Sequence, residues 1–230
     1  MLPMRYPGGK GKTFQHIINM MPPHRVYIET HLGGGSVLRN KLPAVRNIGI
    51  DADHRVVTSR HFQQIPQVEL VHGEAEVFLA QYKFRGDELV YSDPPYHPHT
   101  RKRVRVYRKD YSVEDHERLI SILKALPCMV ILSGYENNLY NSALEGWRTR
   151  TFLAKTHTGM REETMWFNFD IPQVLHDPRY LGHNFRERQT TKRRLLRLQD
   201  KVTRMDPLER AAFSQWLQNN FPFKIQGESR

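Results

Sequence analysis

The sequence has a single cysteine, Cys128, and no long hydrophobic run. One cysteine excludes an intramolecular disulfide framework and a zinc site built from cysteines. The longest uninterrupted apolar run is the five residues 128–132, so neither a membrane span nor a signal peptide is expected. These shortages predict a globular protein of the cytoplasm rather than a disulfide-stapled or membrane-bound one.

Acidic side chains are also in short supply. The 230 residues hold 24 Asp and Glu against 35 Lys and Arg, which gives a net charge of +11. Such an excess favours a polyanionic partner, most simply nucleic acid, although charge by itself leaves the partner open. Twelve histidines are present, and His97 and His99 flank Pro98, but we find no metal-ligand spacing and expect no metal site.

Short apolar segments alternate with helical ones along most of the chain. A helix is predicted over 13–21 and another after Ser112, where Ser112 and Asp115 fit a capping box. Late strands over 152–156 and 164–169 are expected to close one edge of a sheet. The remaining strands are predicted over 26–28, 48–50, 68–71, 89–91 and 129–132. The alternation predicts an α/β fold with a mostly parallel sheet.

The composition changes after Pro172. Within 185–204 there are eight basic residues and two acidic ones, and leucines recur at a three-four spacing that predicts a helix. Asp206 and Pro207 then form the start of a further helix, with the aspartate as N-cap and the proline at the first helical position. The tail is therefore expected to hold two helices joined by a tight turn.

Three predicted strands end at residues that suit a ligand, and ligands of open α/β sheets bind at the carboxyl ends of strands. The first strand leads into Glu29 and a glycine run that includes Gly33 and Gly35. Glycine lets the backbone approach a ligand closely. The spacing matches neither the dinucleotide fingerprint nor a P-loop, and a plain tight turn is the alternative.

The second strand ends at Asp51. An acidic residue in this place commonly accepts hydrogen bonds from ribose hydroxyls. Asp53 also qualifies by position, but Asp51 directly follows the apolar residues 48–50 and is our choice. The alternative is an aspartate that caps a helix or a loop.

The fourth strand ends at the tetrapeptide Asp93-Pro94-Pro95-Tyr96. Consecutive prolines fix the backbone and remove two donors, which leaves the carbonyl of Pro94 able to accept a hydrogen bond. An exocyclic amine of a base can donate to Asp93 and to that carbonyl, while Tyr96 stacks on the base. Chemistry on an extruded base needs this arrangement.

Taken in order, the motif Tyr6-Pro7-Gly8-Gly9-Lys10, the glycine run after Glu29 and the tetrapeptide at 93–96 resemble the Dam-type DNA adenine N6-methyltransferases. The resemblance covers roughly residues 4–169. It implies the S-adenosylmethionine-dependent, Rossmann-like methyltransferase sheet with helices on both faces, in a catalytic domain over 1–170. The basic helical C-terminal extension then covers 171–230.

The resemblance also implies roles for single residues. S-adenosylmethionine is the expected cofactor. Its expected contacts are Tyr6 and Lys10, then Glu29, Gly33 and Gly35 around the methionine part, Asp51 at the ribose, and Glu74 near the adenine by a loose match. Asp93, Pro94, Pro95 and Tyr96 are the expected catalytic residues around the target base.

The sequence departs from the family pattern in two places. Thr30-His31 stands where Pro-Phe is usual, which bears on the shape of the donor pocket. The family usually inserts a target-recognition domain before the tetrapeptide, yet Asp51 and Asp93 are 42 positions apart (93 minus 51). Recognition of a DNA sequence by this chain is therefore expected to be slight, or to come from another part of the chain.

Two basic segments are candidates for contact with nucleic acid. The segment that follows the tetrapeptide carries Arg101, Lys102, Arg103, Arg105, Arg108 and Lys109. It suits phosphates or a groove beside the base, and a solvated loop is the alternative. The predicted helix over 185–204 suits phosphates, or pairs two subunits as a weak dimer, or packs on the body of a monomer.

These features together predict methyl transfer to the exocyclic N6 amine of adenine in DNA, with short or relaxed sequence specificity and no membrane partner. One alternative keeps the chemistry and changes the substrate to adenine in RNA. The other is a DNA-binding protein of the same fold that has lost catalysis.

Overall fold

A computed structural model describes residues 11, 13–62, 65, 67–100, 110–156 and 159–222. The chain divides into two compact units, Met1–Tyr180 and Leu181–Arg230. Among the described residues, no helix is long and apolar enough to span a membrane.

The first unit is built on a seven-stranded sheet. Its strands lie in the order β3-β2-β1-β4-β5-β7-β6. The five strands from β1 to β5 are parallel, whereas β7 runs antiparallel to both of its neighbours. The strands are β1 (Val26–Glu29), β2 (Arg46–Asp51), β3 (Val68–His72), β4 (Glu88–Ser92), β5 (Met129–Gly134), β6 (Arg148–Thr156) and β7 (Gly159–Phe167).

Six helices accompany this sheet in the described part of the first unit. They are α1 (Phe14–Ile18), α2 (Ser36–Asn40), α3 (His54–Val57), α4 (Ala75–Gln81), α5 (Val113–Ala125) and α6 (Asn138–Ala143). Single 3₁₀ turns lie at Arg60–Phe62, Pro98–Thr100 and Pro178–Tyr180. The predicted capping box opens α5, because Ser112 accepts from the Asp115 N–H and Asp115 accepts from the Ser112 N–H.

Helices cover both faces of the sheet. Because side chains alternate along a strand, each buried strand contributes residues to the core on both faces. Tyr27 packs in a core cluster with residues of α1, α2 and α3. Ile28, the next residue, packs in a second cluster with residues of α4, α5 and α6. The predicted fold class is thereby confirmed: a mostly parallel, Rossmann-like sheet with helices on both faces.

The first unit extends ten residues past the predicted domain boundary at 170. Asp177 has no exposed surface, accepts a hydrogen bond from the Leu42 N–H at 3.0 Å and pairs with Arg179. These contacts tie the 171–180 segment to the end of α2, so the division between units falls after Tyr180.

The second unit contains the two predicted helices, α7 (Phe185–Thr203) and α8 (Pro207–Asn220). Asn184 caps α7, and Asp206 caps α8 with Pro207 at the start, as the sequence predicted. No residue of α7 or α8 is buried in the described structure.

Candidate active site

One cavity opens at the carboxyl ends of the parallel strands. The loops after β1, β2, β3 and β4 line it, together with the residues before and at the start of α5. Every predicted site residue within the described part of the chain lines it: Glu29, Gly33, Gly35, Asp51, Glu74, Asp93, Pro94, Pro95 and Tyr96. Tyr6, Lys10 and the basic residues of 101–109 lie outside the described residues.

The glycine loop turns sharply between β1 and α2. Gly33 and Gly35 have φ angles of +48° and +57°, a left-handed conformation that side chains disfavour. A Cβ atom on Gly35 would also collide with the ring of Phe62. Both glycines are therefore required by backbone geometry, and the turn opens α2 at the rim of the cavity.

Asp51 holds this loop in place. Its two carboxylate oxygens accept hydrogen bonds from the Gly33 N–H and the Asp53 N–H, each at 2.8 Å. Burial raises the pKa of Asp51 above its usual value, although these two N–H groups oppose that shift. Asp53, the other candidate, accepts from the Arg55 N–H as the N-cap of α3 and pairs with the Arg55 side chain.

Glu29 lies beneath the loop and is 3% exposed. One of its oxygens accepts from the Tyr27 hydroxyl and from the Leu38 N–H, both at 2.9 Å. It thus caps the first turn of α2, where Gly35 has no side chain to do so. Burial raises the pKa of Glu29 from its usual 4.5 to about 8.

Glu74 occupies the cavity rim after β3. It is the N-cap residue of α4, but its side chain makes no capping hydrogen bond. It is exposed, so its carboxylate is open to solvent at the edge of the cavity.

Asp93 stands at the end of β4, where a chain of hydroxyls fixes it. Ser133 donates to its Oδ1 at 2.8 Å, and the Tyr91 hydroxyl lies 2.9 Å from the Ser133 oxygen. Because Ser133 has one hydroxyl proton and gives it to Asp93, Tyr91 is the donor in the second bond. These two hydrogen bonds orient the Asp93 carboxylate, which lines the cavity.

Tyr96 is held in place by a residue of β7. Its hydroxyl donates to Oε1 of Glu163 at 3.0 Å, and its ring lies 4.2 Å from that of Tyr135. The Arg161 guanidinium covers Tyr135 at 3.4 Å from the ring centroid and donates to the Thr100 carbonyl at 2.8 Å. A tyrosine held in this way presents a fixed aromatic face for stacking.

The unusual His31 is hydrogen-bonded with Tyr111, and through it with Glu76, in the lining of the cavity. Its Nε2 lies 2.9 Å from the Tyr111 hydroxyl, and Tyr111 donates to Glu76 at 3.0 Å. Burial, with a smaller effect from His116, lowers the pKa of His31 to about 3, so the ring is neutral. Because the hydroxyl proton of Tyr111 is donated to Glu76, the hydrogen bond between His31 and Tyr111 is donated by the Nε2–H group of His31.

Several of these residues were missed at the sequence level. Ser133 and Tyr135 lie at and just after the end of β5, so the rule that singled out Asp51 and Asp93 would also have pointed to them. Glu163 and Arg161 lie within the β-hairpin of β6 and β7, and their approach to the tetrapeptide has no sequence signal.

The charge of the cavity decides which ligands fit. Its lining includes eight carboxyl groups, those of Glu29, Asp51, Asp53, Glu74, Glu76, Asp93, Asp110 and Asp115. Of the basic groups in that lining, His31 is neutral and Arg118 pairs with Asp115. Such a lining repels phosphate and suits a cationic ligand with hydroxyl and amine donors. S-adenosylmethionine, with its sulfonium, ammonium and ribose, has those properties, whereas a dinucleotide does not.

Residues 51–156 match the family model described as D12 class N6 adenine-specific DNA methyltransferase. No curated protein matches the chain.

Among solved structures, an rRNA methylase from Streptococcus thermophilus has 11% identity and a TM-score of 0.47, covering 69% of this chain and 96% of the other. SMU.1697c, a putative methyltransferase from Streptococcus mutans in complex with SAH, has 12% identity and a TM-score of 0.45, covering 72% and 99%. The putative methyltransferase yhhF from Escherichia coli has 14% identity and a TM-score of 0.46, covering 72% and 91%. At these scores the likenesses say nothing about the substrate.

The family match begins at Asp51, spans the tetrapeptide at 93–96 and ends with β6. S-adenosylmethionine, the cofactor expected from the motifs, is the methyl donor of this family and of the fold described above. The resemblance inferred from the sequence is therefore confirmed: the chain is an S-adenosylmethionine-dependent methyltransferase whose residues 51–156 match the D12 class of N6 adenine-specific DNA methyltransferases.

Proposed function

We propose that this chain transfers a methyl group from S-adenosylmethionine to the exocyclic N6 amine of adenine in DNA. The observation that carries the proposal is that Asp93, fixed by Ser133, lines the same cavity as Asp51 and the glycine loop. A target amine held by Asp93 and a donor held by that loop would therefore meet in one cavity. The family match supports adenine and DNA as the target.

The donor side of the cavity is preformed. Asp51 is already fixed by two backbone N–H groups, and its remaining lone pairs suit ribose hydroxyls. Glu29 lies next to the turn that would enclose the methionine part, and Glu74 stands at the rim where the adenine is expected. When bound, the sulfonium supplies an electrophilic methyl group.

On the target side, Asp93 and the Pro94 carbonyl accept the two hydrogens of the amine. The lone pair of that amine is delocalised into the adenine ring, which makes it a poor nucleophile. Two hydrogen bonds would orient the amine and concentrate its lone pair toward the donor methyl. As the nitrogen–methyl bond forms, the sulfur–methyl bond would break, S-adenosylhomocysteine would leave and the amine would release one proton to solvent. Tyr96 stacks on the base and keeps it in line, and this positioning lowers the barrier by several kcal/mol, on the order of what effective molarity supplies.

The direct test is expression in a host that lacks adenine methylation, followed by sequencing that detects N6-methyladenine in its DNA. Wild type is expected to methylate adenine, and Asp93→Ala is the matched inactive control. Purified enzyme is then assayed with labelled donor on duplex DNA and on RNA. Methylation of RNA without DNA, or binding of DNA without any transfer, would overturn the proposal.

A further inference from the structure

We propose that one face of α7 is a second DNA-binding surface, which contacts the phosphate backbone of the duplex that the enzyme methylates. The inference rests on the proposed function for the identity of the polyanion. Its evidence is independent of the cavity, because it comes from the arrangement of charge on α7 (Phe185–Thr203) and its C-cap Arg204.

The cations of α7 are gathered on one side of the helix. At about 100° per residue, six of the eight basic residues of α7 and its C-cap fall within an arc of about 100°. We call them the basic stripe: Arg186, Arg193, Arg194, Arg197, Lys201 and Arg204, all exposed. From the first to the last the stripe spans 18 residues, or about 27 Å of helix. Leu195, Leu198 and Val202 lie on a different side, so apolar and basic positions are segregated.

The acidic residues of α7 leave most of the stripe uncompensated. Both oxygens of Glu187 accept hydrogen bonds from the N-terminal turn, namely from the His183 N–H and the Asn184 amide. Asp200 pairs with Arg204 at 3.0 Å. In the described structure, neither of these carboxylates contacts Arg193 or Arg197. A row of exposed guanidinium and ammonium groups about 27 Å long matches the regular charge of a nucleic-acid backbone.

More than half of the net positive charge of the chain lies in residues 181–230, which include the basic stripe. Residues 181–230 hold eleven Lys and Arg against five Asp and Glu, so they carry +6 of the net +11. The cavity, in contrast, is lined by carboxyl groups and repels phosphate. Attraction of a polyanion must therefore come from surfaces outside the cavity, and α7 presents the stripe for it.

The test compares two double variants of the full chain that remove the same charge. Arg193→Gln with Arg197→Gln removes two cations of the stripe. Lys192→Gln with Arg210→Gln is the control, because Lys192 lies about 120° around α7 from the midpoint of the first pair and Arg210 lies on α8. Glutamine keeps a similar helix propensity, and circular dichroism checks the helix content of both variants.

Binding to a duplex is measured by fluorescence anisotropy over a range of salt concentrations. Each phosphate contact contributes about 0.9 to the slope of log affinity against log salt, so the stripe variant is expected to lose about 1.8. The control is expected to lose less than half of that. An equal loss in both variants would show a general effect of net charge, and no loss in the stripe variant would show that the stripe does not contact DNA; either result overturns the inference.

Methylation and donor affinity are measured on the same preparations, which separates this inference from the proposed function. A wild-type chain that binds DNA through the stripe but transfers no methyl group refutes the function and leaves the surface. A chain that methylates DNA with a salt slope independent of the stripe refutes the surface and leaves the function. A stripe-dependent slope for RNA but not for DNA would also refute the inference.

Discussion

Three carboxyl groups of the cavity have different surroundings, and these give them different tasks. Asp93 accepts a hydrogen bond from the Ser133 hydroxyl and lines the cavity. Asp51 is fixed by two backbone N–H groups of the loops around it. Glu29 is buried under the glycine loop with a raised pKa. Under the proposed function, these carboxyl groups would serve the target base (Asp93) and the donor (Asp51), whereas Glu29 supports the local fold through the Leu38 N–H.

Asp93→Ala is expected to lower kcat by roughly 10²–10³-fold, because the lost hydrogen bond acts mainly in the transition state. Donor affinity, measured by calorimetry, is expected to stay within a few-fold of wild type. Ser133→Ala keeps the Asp93 carboxylate but removes the hydrogen bond that orients it. Its kcat should therefore lie between that of wild type and that of Asp93→Ala. Near-normal turnover of Asp93→Ala would refute the assigned role.

Asp51→Ala is expected to weaken donor binding by roughly ten- to a hundred-fold, since a hydrogen bond to a charged group contributes about 1.5–3 kcal/mol. It should also lower the melting temperature, because the Gly33 N–H loses its acceptor. Asp53→Ala is the matched control, because it removes the N-cap of α3 and leaves the hydrogen bond between Asp51 and the Gly33 N–H in place. If Asp53→Ala weakened donor binding and Asp51→Ala did not, the choice between the two aspartates would be wrong.

Glu29 makes the stability of the fold depend on pH. Its pKa is about 8 in the folded chain and about 4.5 when unfolded, so between these values the folded state holds a proton that the unfolded state has lost. Unfolding free energy therefore falls as pH rises through this window, by at most roughly 1.4 kcal/mol per pH unit. Urea denaturation at pH 6 and pH 8 should show a larger drop for wild type than for Glu29→Gln, and equal drops would contradict the assignment.

The sequence predicted some of the residues at strand ends, overlooked others there, and missed those that come from other parts of the fold. Asp51 and Asp93 could be found because chain position alone puts them at the edge of the sheet. Ser133 could have been found by the same rule. Glu163 approaches Tyr96 across 67 positions of sequence, and a contact of that kind depends on the strand order rather than on a local pattern.

Among the elements, the central strands were predicted well and the ends of elements less well. Buried parallel strands are short apolar runs, which is why β1 and β4 were found within one residue at each end. The helix predicted over 13–21 ends at Ile18. The N–H groups of Met20 and Met21 bond three residues back, in a tighter turn that leads into Pro22.

The β6–β7 hairpin was foreseen as two edge strands, but its length was underestimated. Each strand has nine residues, and β7 inserts between β5 and β6. Sequence reasoning predicted strands over 152–156 and 164–169, whereas β6 begins four residues earlier, at Arg148, and β7 begins five residues earlier, at Gly159. That extension places Arg161 and Glu163 beside the tetrapeptide.

The tie between this hairpin and the tetrapeptide is expected to matter for DNA rather than for the donor. Glu163→Gln weakens the acceptor of the Tyr96 hydroxyl, so the KM for DNA should rise and kcat should fall while donor affinity stays unchanged. Tyr96→Phe removes the same hydrogen bond from the other side. The double variant should therefore be no worse than the more impaired single variant. Additive losses would show that Glu163 acts independently of Tyr96.

At the scale of the whole molecule, the segment between Asp51 and Asp93 has no room for a recognition domain. The residues between Asp51 and Asp93 are used by α3, a 3₁₀ turn, β3, α4 and β4. A dedicated reading domain would supply several base contacts, each contributing about 1–3 kcal/mol of discrimination. We therefore expect a short or relaxed site of about two or three base pairs around the target adenine.

Sequencing of methylated DNA from the expression host measures this directly. A methylome confined to one motif of four or more fixed bases would contradict a relaxed site. Neutralising Arg103 and Arg105 together should weaken methylation across all sequences more than it alters which sequences are chosen, because phosphate contacts carry no sequence information. A changed motif in that variant would show that these residues contact bases.

If the basic stripe of α7 binds DNA as proposed, it has a consequence for the order in which sites are methylated. Contacts with phosphates are equivalent at every position along a duplex, so a protein bound through them can slide or hop along the DNA before it dissociates. The cavity can then meet a succession of adenines during one encounter. We expect processive methylation, in which neighbouring adenines on one DNA molecule acquire methyl groups together while other molecules remain bare.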